Sequence, residues 1–177
     1  MSTIGKEEYL AKVAPDKPIS EEEFVTALRN AHKIRTNVCF RIWKKIKELY
    51  PDVDADRILI EAYSEFGIGE GKKWGGIESA ADGLYKQSSR GGYLAFSQEI
   101  KEISDDYAQK DFHYCPHVEA MKELGASAED IRFFCQEILS SGDYGNIVPY
   151  EGYELEFKKQ IGAGDDHCEY CLRKCSK

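Results

Sequence analysis

A helical periodicity sustained from Glu21 to Tyr50 constrains this chain more than any other feature of it. Ser20 followed by Glu23 is a capping-box pattern, in which each side chain satisfies the other's orphan backbone N–H. Phe24, Leu28, Ala31, Val38, Ile42, Ile46 and Leu49 then recur at helical spacing, and Pro51 stops the run. One long amphipathic helix is therefore expected here. A second should start near Asp54, with Ile58, Ala62, Tyr63 and Phe66 turned inward and Gly67 or Gly69 as its terminator. His32, alone on the first helix, reads as a solvated or satisfied histidine rather than a catalyst.

Downstream the texture changes. A glycine-rich connector carries Trp74, Tyr85, Tyr93 and Phe96 as buried aromatics, with short helices expected over Ile77–Tyr85 and Tyr93–Ile103. It contains no Walker motif and no GxGxxG, which excludes a phosphate-cradling loop of those kinds. From Ser104, Tyr107, Phe112 and Tyr114 predict an extended segment that leads into Cys115-Pro116. Pro116–Leu124 should be a helix with proline in its first turn and Gly125 after its end. Another helix should run from Ser127 to about Ser140, closed by Gly142 and Gly145, with Ile131, Phe134, Cys135 and Ile138 on one face. Tyr153, Leu155 and Phe157, a Gly-Ala-Gly-Asp-Asp turn and His167–Arg173 then read as an antiparallel hairpin. The sum is an α+β fold: N-terminal helices followed by a small antiparallel sheet packed with two or more helices. The expected organisation is a loosely ordered lead-in over 1–19 and a single domain over 20–177. Within that domain, 20–103 is the helical part and 104–177 the cysteine-bearing α+β part.

Composition narrows the function. With 177 residues the chain can bury one core, and its net charge of −8 argues against general nucleic-acid or anionic-membrane binding. The basic stretch Arg41, Lys44, Lys45 and Lys47 reads as a solvated helix face. The first eighteen residues show no apolar signal segment, and no run is long enough to span a bilayer. A cytoplasmic location is expected, without membrane or nucleic-acid partners, and with a homo-oligomer among the possible states. In a reducing compartment the six cysteines read as buried, metal-binding or catalytic.

Three of those cysteines stand out. Cys115 sits where a helix should begin, where the helix dipole and free N–H groups favour thiolate, and His113 and His117 flank it as base or co-ligand. Cys135 lies among Phe133, Phe134 and Ile138 and reads first as core. The tail carries Asp165-Asp166-His167-Cys168-Glu169-Tyr170-Cys171, with Cys175 beyond it. A C-x2-C pair suggests metal, but on a strand Cys168 and Cys171 point to opposite faces. A combined set of Cys115, Cys135 and Cys168, completed by His167 or water, is the more attractive reading, with Zn or an iron–sulfur cluster as its cofactor. Asp165 and Asp166 are turn residues, or position a water and hold an amine-bearing substrate.

The order and spacing of three short pieces resemble the L-2-amino-thiazoline-4-carboxylic acid hydrolase family. They are Cys115-Pro116 with the helix to Gly125, the Phe134-Cys135 helix, and Gly164-Asp165-Asp166-His167-Cys168-Glu169-Tyr170. The resemblance covers roughly residues 110–174; the N-terminal helices fit in general character. It implies hydrolysis of a cyclic C–N bond in a small heterocycle, in which water attacks an amidine-like carbon and opens the ring to a carbamoyl-cysteine. Cys115, Cys135, Asp166 and Cys168 occupy the motif positions. With His117 they give a catalytic expectation of Cys115, Asp166 and His117, a substrate-binding expectation of Asp165 and His113, and a metal set of Cys115, Cys135, Cys168 and His167. Cys171 and Cys175 depart from the family pattern, which usually has a basic residue after the aromatic. In its helix–hairpin texture the chain is also similar to vinyl-4-reductase-type ligand-binding domains. That likeness implies a non-enzymatic small-molecule or metal sensor as the alternative.

Overall fold

The computed structural model of the chain describes residues 17–175, together with Glu7 and Ala11. Most of the expected lead-in lies outside the described residues. The long periodic stretch forms α1 (Glu21–Leu49), and its capping box is present in both directions between Ser20 and Glu23. Its buried face differs from the expected one. Thr36, Phe40 and Trp43 point into the core, whereas Val38, Ile42 and Leu49 are about half exposed. Aromatic packing decides this orientation. Phe40 and Trp43 meet Phe134 at ring separations of 5.4 and 5.6 Å, and Trp43 stacks on Phe133. The basic stretch is solvated as expected, with Lys44, Lys45 and Lys47 in surface ion pairs.

Helix α2 (Ala55–Lys72) begins at its Asp54 cap but runs through both glycines expected to end it. Ala55, Leu59 and Gly67 face inward, while Ile58 and Phe66 are exposed. Its partner is a helix near the C-terminal end of the next long segment. That segment is α6 (Ala128–Phe133), a wider π turn over Phe134–Leu139, and then α7 (Ser140–Ile147). Gly142 and Gly145 therefore do not close a helix; they lie within one. A Cβ on Gly67 would stand 2.0 Å from the Gly142 carbonyl oxygen, and one on Gly145 2.6 Å from that of Ser64. The glycines let two backbones touch, which is why they persist in helix interiors at an entropic cost.

Between α2 and α6 come α3 (Ala80–Gln87), α4 (Arg90–Ala95) and α5 (Pro116–Glu123), with strands β1 (Gln98–Ile103) and β2 (Tyr107–Phe112) between the last two. The expected helix over 93–103 is therefore replaced by a short helix and a strand. Ser97, at φ 49°, breaks the chain between them, and Gln98–Ile103 pairs antiparallel with β2. The hairpin of β3 (Tyr153–Phe157) and β4 (Cys168–Lys174) forms as expected. Its β4 adds to β2, giving one antiparallel sheet in the order β1-β2-β4-β3. Ala108, Leu155, Tyr170 and Leu172 on one sheet face pack with Leu84 and Ile147 of the helices. Helices packed on this sheet give the expected α+β class. A second core joins α1, α2, α5 and the π turn through Phe40, Trp43, Met121, Phe134 and Ile138.

Candidate active site

Between the two cores lies a cavity of about 650 Å³, within the range of small-molecule sites. Residues from α1, α2, α5, α7 and the sheet reach it, so no single segment of sequence contains it. Cys115, Cys135 and Cys168 converge on its wall. Each is placed by a different local device. Cys115 precedes Pro116 at the start of α5. Cys135 lies in the π turn, under a chain crossing so close that a Cβ on Gly162 would stand 2.5 Å from its sulfur. Cys168 opens β4 and accepts the Ile161 N–H at 3.3 Å.

Their chemistry is not that of a thiolate cluster. Burial pushes the Cys115 thiol up to about 11, outweighing the His117 and Val118 amides that pull it the other way. Burial likewise lifts Cys168 to about 12 and Cys135 well above its ordinary value. The helix N-terminus thus loses to desolvation, and Cys115, Cys135 and Cys168 meet the cavity as neutral thiols. Cys39 of α1 also lines the cavity, whereas Cys171 and Cys175 are elsewhere. Cys171 accepts the Tyr107 hydroxyl at 3.2 Å on the other face of the sheet, and Cys175 is exposed.

His117 lines the cavity but is committed to a chain of hydrogen bonds. Thr36 Oγ1 donates to the His32 carbonyl at 3.1 Å, which leaves it to accept from His117 Nδ1 at 2.6 Å. Nε2 then accepts from Arg35 at 3.3 Å. Burial, with the nearby Arg35 charge, holds His117 well below its usual value and keeps it neutral. His32, set aside in the sequence, packs edge-on against His117 at 5.2 Å and also lines the cavity. Its burial depresses it as well.

The cavity also holds a carboxylate that the sequence did not single out. Asp143, on α7, faces the cavity without a hydrogen bond or ion pair among the described residues. Burial raises its carboxyl to about 6, against the opposing pull of Lys110 and Arg35. Lys110 is fully buried on β2, donates to Gln87 Oε1 and to Ser88 Oγ at 3.1 Å, and is lowered by burial to about 8. Two further polar atoms of the wall, the Tyr63 hydroxyl and Gln98 Oε1, are buried without partners. The π turn brings Asp143 to this wall. One extra residue in a turn rotates the following helix by about 100° relative to an uninterrupted one. Ser140 seals the turn by donating to the Cys135 carbonyl at 2.9 Å, and it accepts from Gln160 at 2.7 Å.

The other expected residues stand outside the cavity. Asp165 is exposed and accepts the Gln160 N–H at 2.8 Å, and exposed Asp166 lies 2.6 Å from His167 Nδ1. His113 and His167 face each other with ring centroids 5.7 Å apart, beside the Glu99 and Asp111 carboxylates. His167 therefore does not join the three thiols. Residues 31–172 match the family model described as L-2-amino-thiazoline-4-carboxylic acid hydrolase, most of the chain, and the chain belongs to that family. No curated protein matches it significantly.

Proposed function

We propose that this member of the L-2-amino-thiazoline-4-carboxylic acid hydrolase family opens a small cyclic amidine that carries a carboxylate, with Asp143 as general base in the cavity. The observation that carries the reading is Asp143 itself, a cavity-facing carboxylate raised to about 6 with no protein partner. A carboxylate of that pKa is ionised at neutral pH, yet basic enough to accept a proton from water. Water's oxygen bonds to the amidine carbon while its proton passes by way of Asp143 to the ring nitrogen. Collapse to the carbonyl then passes the second water proton to the ring nitrogen as the C–N bond breaks, leaving an amine and a carbamoyl group. Arg35, held by His117, is the cation available to the substrate carboxylate. Tyr63 and Gln98 offer an unused donor and acceptor for the ring substituents. The thiols shape and desolvate the wall; Cys115 is not the nucleophile in this scheme.

The test is turnover of L-2-amino-thiazoline-4-carboxylate, followed by mass spectrometry as the gain of one water. Asp143→Asn should lower kcat/KM at least 100-fold, and Cys115→Ser less than tenfold, by the usual size of a general-base contribution. The reverse ranking would restore Cys115 as nucleophile. Tight binding without turnover would favour the non-enzymatic ligand-binding reading.

A further inference from the structure

The sheet carries a second constellation of chemically active side chains, on the face turned away from the cavity. Side chains alternate along a strand, so Ala108, Lys110 and Phe112 point to the helices and Asp111 to the opposite face. The same alternation carries His113 to that face. In the β2–β4 ladder Phe112 pairs with Cys168 and Asp111 with Glu169, so His113 and His167 occupy the next position beyond the ladder. Glu99 pairs with Asp111 from β1. Three strands thus bring two imidazoles and the carboxylates of Glu99, Asp111 and Glu169 to one spot, with Glu169 also held by Lys159 at 3.0 Å.

We propose that Glu99, Asp111 and His113, with His167 packed beside them, form a site for a first-row divalent cation such as Zn²⁺. Ligand atoms of Glu99, Asp111 and His113 all lie within 4.8 Å of one another. Among the described residues the three cavity thiols form no such group. His113 Nε2 is 3.1 Å from Glu99 Oε2, and His167 Nε2 is 3.7 Å from Asp111 Oδ2. Tetrahedral ligation at about 2.0–2.1 Å separates neighbouring ligand atoms by about 3.3 Å, between those two values. Imidazole with carboxylate is the donor set of Zn²⁺, Co²⁺ and Ni²⁺ rather than of Ca²⁺ or Mg²⁺.

Two independent features point to a cation. Asp111 is only 3% exposed, and Gln109 donates to its Oδ1 at 3.0 Å, but its Oδ2 accepts no hydrogen bond. The Lys101 ammonium lies 3.9 Å from Oδ2 and 3.0 Å from Glu99. Lys101 thus stands in for a cation between the two carboxylates. Secondly, Asp166 Oδ1 lies 2.6 Å from His167 Nδ1 and so accepts its proton. That leaves Nε2 with no hydrogen to give the Glu169 and Asp111 carboxylates, which lie 3.2 and 3.7 Å from it, so a cation between them would satisfy all three. A carboxylate on Nδ1 is also how a metal-binding histidine is oriented. A cation here would tie β1, β2 and β4 together immediately beside Cys115 and Cys168, clamping one wall of the cavity from behind.

Calorimetry of the chelator-stripped full chain with Zn²⁺ should give one site, and elemental analysis after dialysis one ion per chain. His113→Ala and His167→Ala should each weaken binding at least tenfold, and Asp166→Asn by roughly ten- to a hundredfold. Lys101→Gln, which removes the competing ammonium, should tighten it. Co²⁺ should bind without a thiolate-to-cobalt charge-transfer band, and the melting temperature should rise with Zn²⁺ in the parent but not in His113→Ala. Circular dichroism of each variant confirms folding. The proposal is overturned by no binding to the folded chain, by unchanged affinity in both histidine variants, or by a thiolate band.

Discussion

At the scale of single residues, burial rather than proximity decides what the cavity side chains can do. Cys115 has a helix N-terminus ahead of it, and still its thiol is driven up to about 11 because desolvation is the larger effect. Cys115, Cys135 and Cys168 should therefore alkylate far more slowly than exposed Cys175 at pH 7.5, a difference that timed iodoacetamide labelling and peptide mass spectrometry would read. Asp143 is governed by the same force in the other direction. Its shift to about 6 places the acid limb of kcat/KM near pH 6, with activity rising as the carboxylate ionises. Lys110 and Arg35 hold that value down, so Lys110→Gln should move the limb to higher pH. An unmoved limb would assign it to another group.

At the scale of elements, the close approach of α2 to α7 is the feature on which the site depends most. Gly67→Ala puts a methyl group against the Gly142 backbone at 2.0 Å, where no flexible side chain can give way. A loss of about 3 kcal/mol is expected, as for other overpacked positions. Gly69→Ala, with nothing within 4 Å of the added carbon, should be neutral or stabilise by up to about 1 kcal/mol through helix propensity. Urea melts of the pair would separate packing from propensity; equal effects would remove the argument. Gly162→Ala meets the Cys135 sulfur instead, and should disturb the cavity more than the fold.

For the whole molecule, an ionised Asp143 is a cost of keeping the site. Its folded pKa lies above its unfolded value near 3.8, so the folded state holds its proton more tightly. That contribution is complete below about pH 3.8 and is lost as pH rises through about 6. Asp143→Asn should therefore stabilise the fold at pH 7–8, by about 1–2 kcal/mol because solvent reaches the carboxyl through the cavity, while turnover disappears. The variant should also flatten the stability curve between pH 4 and 6. Among the described residues no helix is long and apolar enough to cross a membrane.

Much of this could be read along the chain because its causes are local. The capping box at Ser20, the Pro116 start of α5, the β3–β4 hairpin and the opposed directions of Cys168 and Cys171 each depend on neighbours a few residues away. The gathering of Cys115, Cys135 and Cys168 was legible too, through their place in a family pattern. Other features depend on partners far off in sequence. Which face of α1 is buried follows from where Phe133 and Phe134 lie, and the β1 strand exists because β2 pairs with it. Gly67 and Gly142 look like helix terminators until two helices are seen to touch through them. Asp143 reaches the cavity through the added residue of a π turn, and His113 meets His167 through strand register. Local periodicity determined the elements, but the rotation of a helix and the register of a ladder are set only when separate elements pack, and those decided which side chains share a site.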